Sequence, residues 1–176
     1  AFLARVLAWA CLILAGTPEI MADPQGKKWH DMIKSGQGNA AALDIIGSFS
    51  NGTISKAILP LPGTPAYISA WQDTIKAAEE ANDPGRFTAF IGFEWTSNTG
   101  GNNLHRNVVF RDDGDKAGKV EPYTTMKPLG SDNPVDLWQW MDSYQQSTGG
   151  RVLAIAHNGN LSNGLMFPTV EAFGRK

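Results

Sequence analysis

A single cysteine, Cys11, stands in the whole chain, which excludes an intramolecular disulfide and any zinc site built from paired thiolates. Cations never gather. Fifteen Lys and Arg against seventeen Asp and Glu leave a net charge of -2, and no basic stripe exists to neutralise successive phosphates, so no nucleic-acid partner is expected. Also missing are a Gly-rich phosphate loop of P-loop or dinucleotide type, a Gly-x-Ser-x-Gly elbow and a paired-cysteine ribbon, which removes the chemistries those motifs carry. No internal repeat or low-complexity tract is visible. The apolar run in ARVLAWACLILAG is too short to cross a bilayer and has about the length of a signal-peptide core. A signal reading puts cleavage after Ala22, whereas a buried helix or a misread segment accounts for the same residues. Residues 1–20 are therefore set apart from a domain over 21–176, no membrane association follows, and the compartment stays undecided. The sequons at Asn51 and Asn160 are too short to carry weight.

With 176 residues, 42% hydrophobic and 18% charged, the chain has the composition of a globular protein with a real core. QGKKWHDMIKSG reads as a short helix closed by Gly36, and Asn39 to Ile46 as a second one. Gly47 to Gly63 reads as loop. Thr64 and Pro65 are a cap followed by proline at the first helical position, and Ile68, Trp71, Ile75 and Ala78 then recur at helical spacing until NDPG. A strand is predicted over Phe87 to Trp95 and another over Leu104 to Phe110, joined by TSNTGGNN as a hairpin. Phe87, Ala89, Ile91 and Phe93 fall on one face of the first strand and Glu94 on the other. Arg111 to Ser131 reads as loop. Asn133 and Pro134 repeat the cap signal for a helix with Leu137, Trp138, Met141 and Tyr144 on one side, ended by Gly149 and Gly150. A strand follows over Arg151 to Ala156. TVEAFGRK has the look of an element beginning. This alternation of helix and strand predicts an α/β domain with one inserted hairpin.

Histidine is scarce, with three in the chain, and two of the three sit where chemistry collects. Glu94 and His157 close predicted strands, the end at which α/β folds gather ligands. An antiparallel hairpin brings the end of one strand to the start of the next, and so brings Glu94 beside His105. Bland readings stand beside this one: Glu94 paired with Arg106, His105 as a satisfied rim histidine, and the asparagines as turn residues next to glycine. His30, among Lys and Trp on a helix, is expected at the surface and outside any site. Two imidazoles and a carboxylate hold zinc, manganese or iron, and water on such an ion is a nucleophile near neutral pH. Asn102, Asn103, Arg106, Asn158, Asn160 and Asn163 are then the candidates for an anionic substrate group, with Arg106 the one well-placed cation. Six tryptophans raise carbohydrate binding, although Trp71, Trp138 and Trp140 lie on predicted helices, where packing is their usual use.

The segments IGFEWTS, GNNLHRNVVFRD and LWQWMDSYQQSTGGRVLAIAHNGNLSNGLMFP resemble a bacterial family catalogued as domain of unknown function 3604. That family is similar to the PHP metallohydrolases, named for polymerase and histidinol phosphatase. The resemblance implies that Glu94, His105 and His157 belong to a cluster of two or three divalent metal ions on a distorted (β/α)7 barrel. It implies hydrolysis of phosphate esters by metal-activated water. A PHP site also uses an amino-terminal His-x-His pair, an Asp-His pair and a carboxy-terminal Asp-x-His, none of which occurs in this chain. The expectation is accordingly an internal piece of such a barrel, incomplete at both ends. Its substrate is a small molecule, a phosphate ester on this resemblance, contacted by Arg106, Asn103, Asn158 and Asn160. Two alternatives remain, a mononuclear two-histidine, one-carboxylate enzyme of the iron oxygenase type and a noncatalytic carbohydrate-binding module.

Overall fold

The structure is a computed structural model that describes residues 13–59 and 61–167. Most of the amino-terminal apolar run and the TVEAFGRK segment lie outside the described residues. The chain forms two compact units, Phe2–Leu61 and Pro62–Lys176.

The first unit is helical. Helix α1 (Pro18–Ala22) and helix α2 (Pro24–Lys34) meet at Asp23, which ends one and caps the other. The Asp23 carboxylate accepts from the backbone N–H of Gln25 and of Gly26, both at 2.9 Å, satisfying two donors that a helix start leaves open. A Cβ on Gly26 would lie 2.6 Å from the Ile20 carbonyl, so the turn between these helices needs glycine there. Helix α3 (Gly38–Ser50) is separate from α2 and runs four residues past the predicted end. Ile13, Ile20, Trp29, Ile54 and Ile58 form the core of this unit, and the Trp29 indole N–H donates to Asp44. His30, expected at the surface, is half-buried with Nδ1 2.6 Å from the Ile13 carbonyl oxygen.

The second unit contains both helix and strand, as an α/β reading requires, but its sheet is antiparallel. Helix α4 (Pro65–Ala81) starts on the predicted cap, with Thr64 Oγ1 accepting from Tyr67 N–H. Trp71 and Ile75 are buried from its stripe, whereas Ile68 is exposed. Strands β1 (Gly92–Trp95), β2 (Arg106–Phe110) and β3 (Val152–Ala156) follow in that spatial order, each antiparallel to its neighbour. The first strand is therefore five residues shorter than predicted. Phe87 is drawn into a turn by its N–H donating to the Asp83 carbonyl, and ladder bonding begins only where Phe110 N–H reaches Ile91 O. Among the described residues no strand lies opposite those before Ile91, and Phe87 and Phe90 are 61% and 62% exposed. A short helix α5 (Gly114–Ala117) interrupts the segment predicted as loop. Helix α6 (Pro134–Thr148) begins with Asn133 capping Val135 N–H and ends at Gly149 with φ +65°, the left-handed cap that glycine adopts without penalty.

Packing divides the sheet by face. Phe93, Trp95, Val108 and Phe110 point to one side, where they bury Trp71 and Ile75 of α4 and Leu137 and Tyr144 of α6. Edge-to-face rings hold this layer, with Trp71 and Phe93 at 6.1 Å and Phe110 and Tyr144 at 5.0 Å. Leu153 and Ile155 point to the other side and are each 52% exposed. An antiparallel sheet tolerates one uncovered face. Trp29, Trp71 and Trp95 are fully buried, and Trp138 and Trp140 are half-buried. Among the described residues, no exposed tryptophan offers a platform for a sugar.

Candidate metal centre

The uncovered face carries the polar groups. Period-two alternation puts Glu94 opposite in direction to Phe93 and Trp95, hence away from the aromatic core. His105 directly precedes β2 and His157 directly follows β3, and ladder bonds continue past the strand ends at both positions. Leu104 N–H donates to Ser97 O at 2.9 Å, and His157 N–H donates to His105 O at 3.3 Å. Strands β1 and β3 run the same way, so Glu94 and His157 lie at their carboxyl ends while His105 lies at the amino end of β2. One end of the sheet gathers all three.

The side chains converge as the hairpin argument predicts. His105 Nδ1 is 2.8 Å and His157 Nε2 3.2 Å from the same Glu94 oxygen, Oε1. The side chains are 12% exposed for Glu94, 13% for His105 and 29% for His157, and the two imidazole rings stand 5.8 Å apart. Burial alone would raise the Glu94 pKa. The hydrogen bond and positive potential of His105, followed by the positive potential of His157, outweigh it and hold the carboxyl below its ordinary value.

Two observations test whether a cation fits. Donors about 2.1 Å from an ion lie about 3 Å apart at right angles and about 3.4 Å apart at the tetrahedral angle. The 2.8 and 3.2 Å separations fall near the right-angle figure, and the three donor atoms lie within 4.8 Å of one another. The second observation is that His157 Nε2 is buried without a hydrogen-bond partner among the described residues. It approaches Glu94 without the alignment a hydrogen bond needs. A buried imidazole nitrogen left in that state is costly, and an ion would relieve it. The residues present fit a divalent cation.

His105 is further oriented by a residue the sequence reading passed over. Its Nε2 lies 3.1 Å from Asn98 Oδ1. When a cation takes the place of the His105–Glu94 hydrogen bond, a proton on Nε2 donated to that oxygen leaves the Nδ1 lone pair to the ion. Asn98 sits in TSNTGGNN, and its reach back to His105 depends on the 3-10 turn Thr99–Gly101, in which Gly100 and Gly101 have φ of +59° and +82°. The turn is fixed by Ser97 and Thr99, whose hydroxyls both donate to Asp132 O, at 2.7 and 3.0 Å.

The substrate candidates divide. Arg106 follows His105 and so points to the opposite face, where it is 5% exposed. It lies 5.9 Å from the Trp95 ring centre and 5.5 Å from that of Trp138, and donates to Leu104 O at 2.6 Å. Burial there lowers its pKa. This corrects two expectations, that Arg106 stands beside a substrate at the metal residues and that it pairs with Glu94. Asn103 is buried, and its Oδ1 accepts from His105 N–H at 3.1 Å, which is a structural use. Asn102 is tied to Thr99 O and to Asn163. Asn158 and Asn160 are exposed in the turn after His157, with Asn158 at φ +58°, where asparagine is tolerated.

No curated protein and no solved structure matches the chain. A family model described as "Protein of unknown function (DUF3604)" matches residues 4–176. That span covers the two histidines, the glutamate and the loop that orients them, and the chain belongs to the DUF3604 family.

Proposed function

We propose that the chain belongs to a metal-dependent hydrolase of the PHP type, acting on phosphate esters. The observation that carries this reading is the convergence of His105 Nδ1 and His157 Nε2 on one Glu94 oxygen at the carboxyl ends of β1 and β3. Three protein donors leave positions on a cation open for water and substrate, as catalytic sites require. A divalent ion of zinc, manganese or iron held there supplies Lewis acidity and a water of lowered pKa. Glu94 offsets the charge of the ion, and its lowered pKa keeps it ionised at neutral pH. Asn98 holds His105 in the ligating tautomer. In this reading the three strands are part of a distorted (β/α)7 barrel, and the face bearing Leu153 and Ile155 looks into its interior. Asn158 and Asn160, exposed beside His157, are the substrate contacts retained from the sequence expectation.

The same donor set is the two-histidine, one-carboxylate triad of mononuclear iron oxygenases, which supplies the second reading. One assay separates them. The chain loaded in turn with Zn2+, Mn2+ and Fe2+ is incubated with a panel of phosphomonoesters and phosphodiesters, with and without O2. Phosphate release that is independent of O2 and lost in Glu94→Gln supports the hydrolase. O2 uptake with Fe2+ alone and no phosphate release overturns it in favour of the second reading.

A further inference from the structure

Among the described residues on the metal face, Thr96 carries a buried hydroxyl whose chemistry is unspent. Its hydroxyl is buried and has no hydrogen-bond partner among the described residues, and the residue is 9% exposed. Direction follows from its neighbours. Trp95 is in the aromatic core and Ser97 bonds Asp132 O next to the start of α6, so alternation turns Thr96 to the opposite face, with Glu94. Register fixes its place along that face. Trp95 pairs with Arg106 and Ser97 O accepts from Leu104 N–H, which sets Thr96 directly opposite His105. His105 in turn stands opposite His157. Thr96, His105 and His157 thus form one row across three strands, with Glu94 in the adjacent row. Facing residues in such a row have Cβ atoms about 4.5–5.5 Å apart.

A buried hydroxyl without a partner loses its hydration with nothing in return, and such a group in a native site calls for an unseen water or ion. We infer that Thr96 Oγ1 is a positioning group of the metal centre, hydrogen-bonded to an oxygen ligand carried by the ion that Glu94, His105 and His157 hold. This rests on the metal reading above. The hydroxyl both donates and accepts, so it serves a water on the ion while the two imidazoles and the carboxylate hold the ion itself.

The test compares the full chain with Thr96→Val, which keeps the shape and removes the hydroxyl, and Thr96→Ser, which keeps the hydroxyl. Co2+ and Mn2+ affinities, the visible spectrum of the Co2+-loaded chain and the melting temperature of the metal-free chain are measured. Thr96→Val is expected to bind both ions about 10-fold more weakly, as loss of an outer-shell partner does, with an altered Co2+ spectrum. Its metal-free melting temperature is expected at or above that of the parent, because no bond is lost, and Thr96→Ser is expected to keep parent affinity. Parent affinity and spectrum in Thr96→Val overturn the inference and leave the metal reading standing. So does a metal-free Thr96→Val that melts below the parent, since that reveals an internal partner. A parent chain that binds neither ion overturns both together.

Discussion

The two faces of the sheet are built from alternate residues of the same three strands and do opposite things. On the helix side, Phe93, Trp95, Val108 and Phe110 are closed over by α4 and α6 and leave almost no surface. On the other side, one end of the sheet carries Glu94, His105 and His157, while Leu153 and Ile155 beyond them stay half-exposed. Packing is therefore concentrated on one face and the candidate metal ligands on the other. A one-residue step in the chain moves a side chain between them, as His105 and Arg106 show. The division predicts that substitutions on one face leave the property of the other intact.

Phe110→Ala should have the largest effect. It empties a fully buried ring contacting Trp71, Phe93, Trp140 and Tyr144, and a loss of about 3–5 kcal/mol is expected in denaturant unfolding. Molecules that remain folded should bind metal like the parent; a metal affinity that falls in step with stability would break the division. Asp112 comes next. It accepts from Arg151 N–H and from Arg111 and Lys116, and clasps the end of β2 to the start of β3. Burial opposes its charge, but these donors prevail and lower its pKa to about 2. A lowered folded pKa means a contribution fully present above the unfolded value of about 3.8 and lost as pH falls from about 4 towards 2. That contribution is about 2 kcal/mol at neutral pH, and Asp112→Asn should remove it and flatten the acid limb of stability against pH. An unchanged acid limb would refute the assignment.

Smaller effects lie on the chemical face. Asn98→Ala frees Nε2 of His105 and should weaken metal binding about 10-fold, with a stability change below about 1 kcal/mol; isothermal titration and thermal melting separate the two. Ile155→Thr, on the uncovered face, should cost at most about 0.5 kcal/mol in this chain. A larger cost would show that the face is covered in solution.

Much of this was legible in local signals. Thr64–Pro65 and Asn133–Pro134 start α4 and α6 where cap chemistry requires, and hairpin geometry alone brings Glu94 to His105. The failures have physical causes. FTAFI alternates like a strand, but alternation reports burial and cannot supply the opposite strand that Phe87–Phe90 lack. Arg106, expected as the one well-placed cation for an anionic group, turns away from His105 because adjacent strand residues face apart. Asn98 and Thr96 were out of reach because their roles depend on how TSNTGGNN turns and on a register extending past the strand ends, both set by long-range bonds to Asp132, Leu104 and His157. Closure into a (β/α)7 barrel was not legible either, and the described strands form one antiparallel sheet.

Whether Glu94, His105 and His157 hold a cation is decided by metal titration of the chain beside Glu94→Gln and His157→Ala, with circular dichroism to establish folding. Stoichiometric Zn2+ or Mn2+ binding by the parent is expected, with a loss of affinity above about 100-fold in each folded variant, since each loses a direct ligand. Variants that fold and bind metal as tightly as the parent, or a folded parent that binds none, would contradict it.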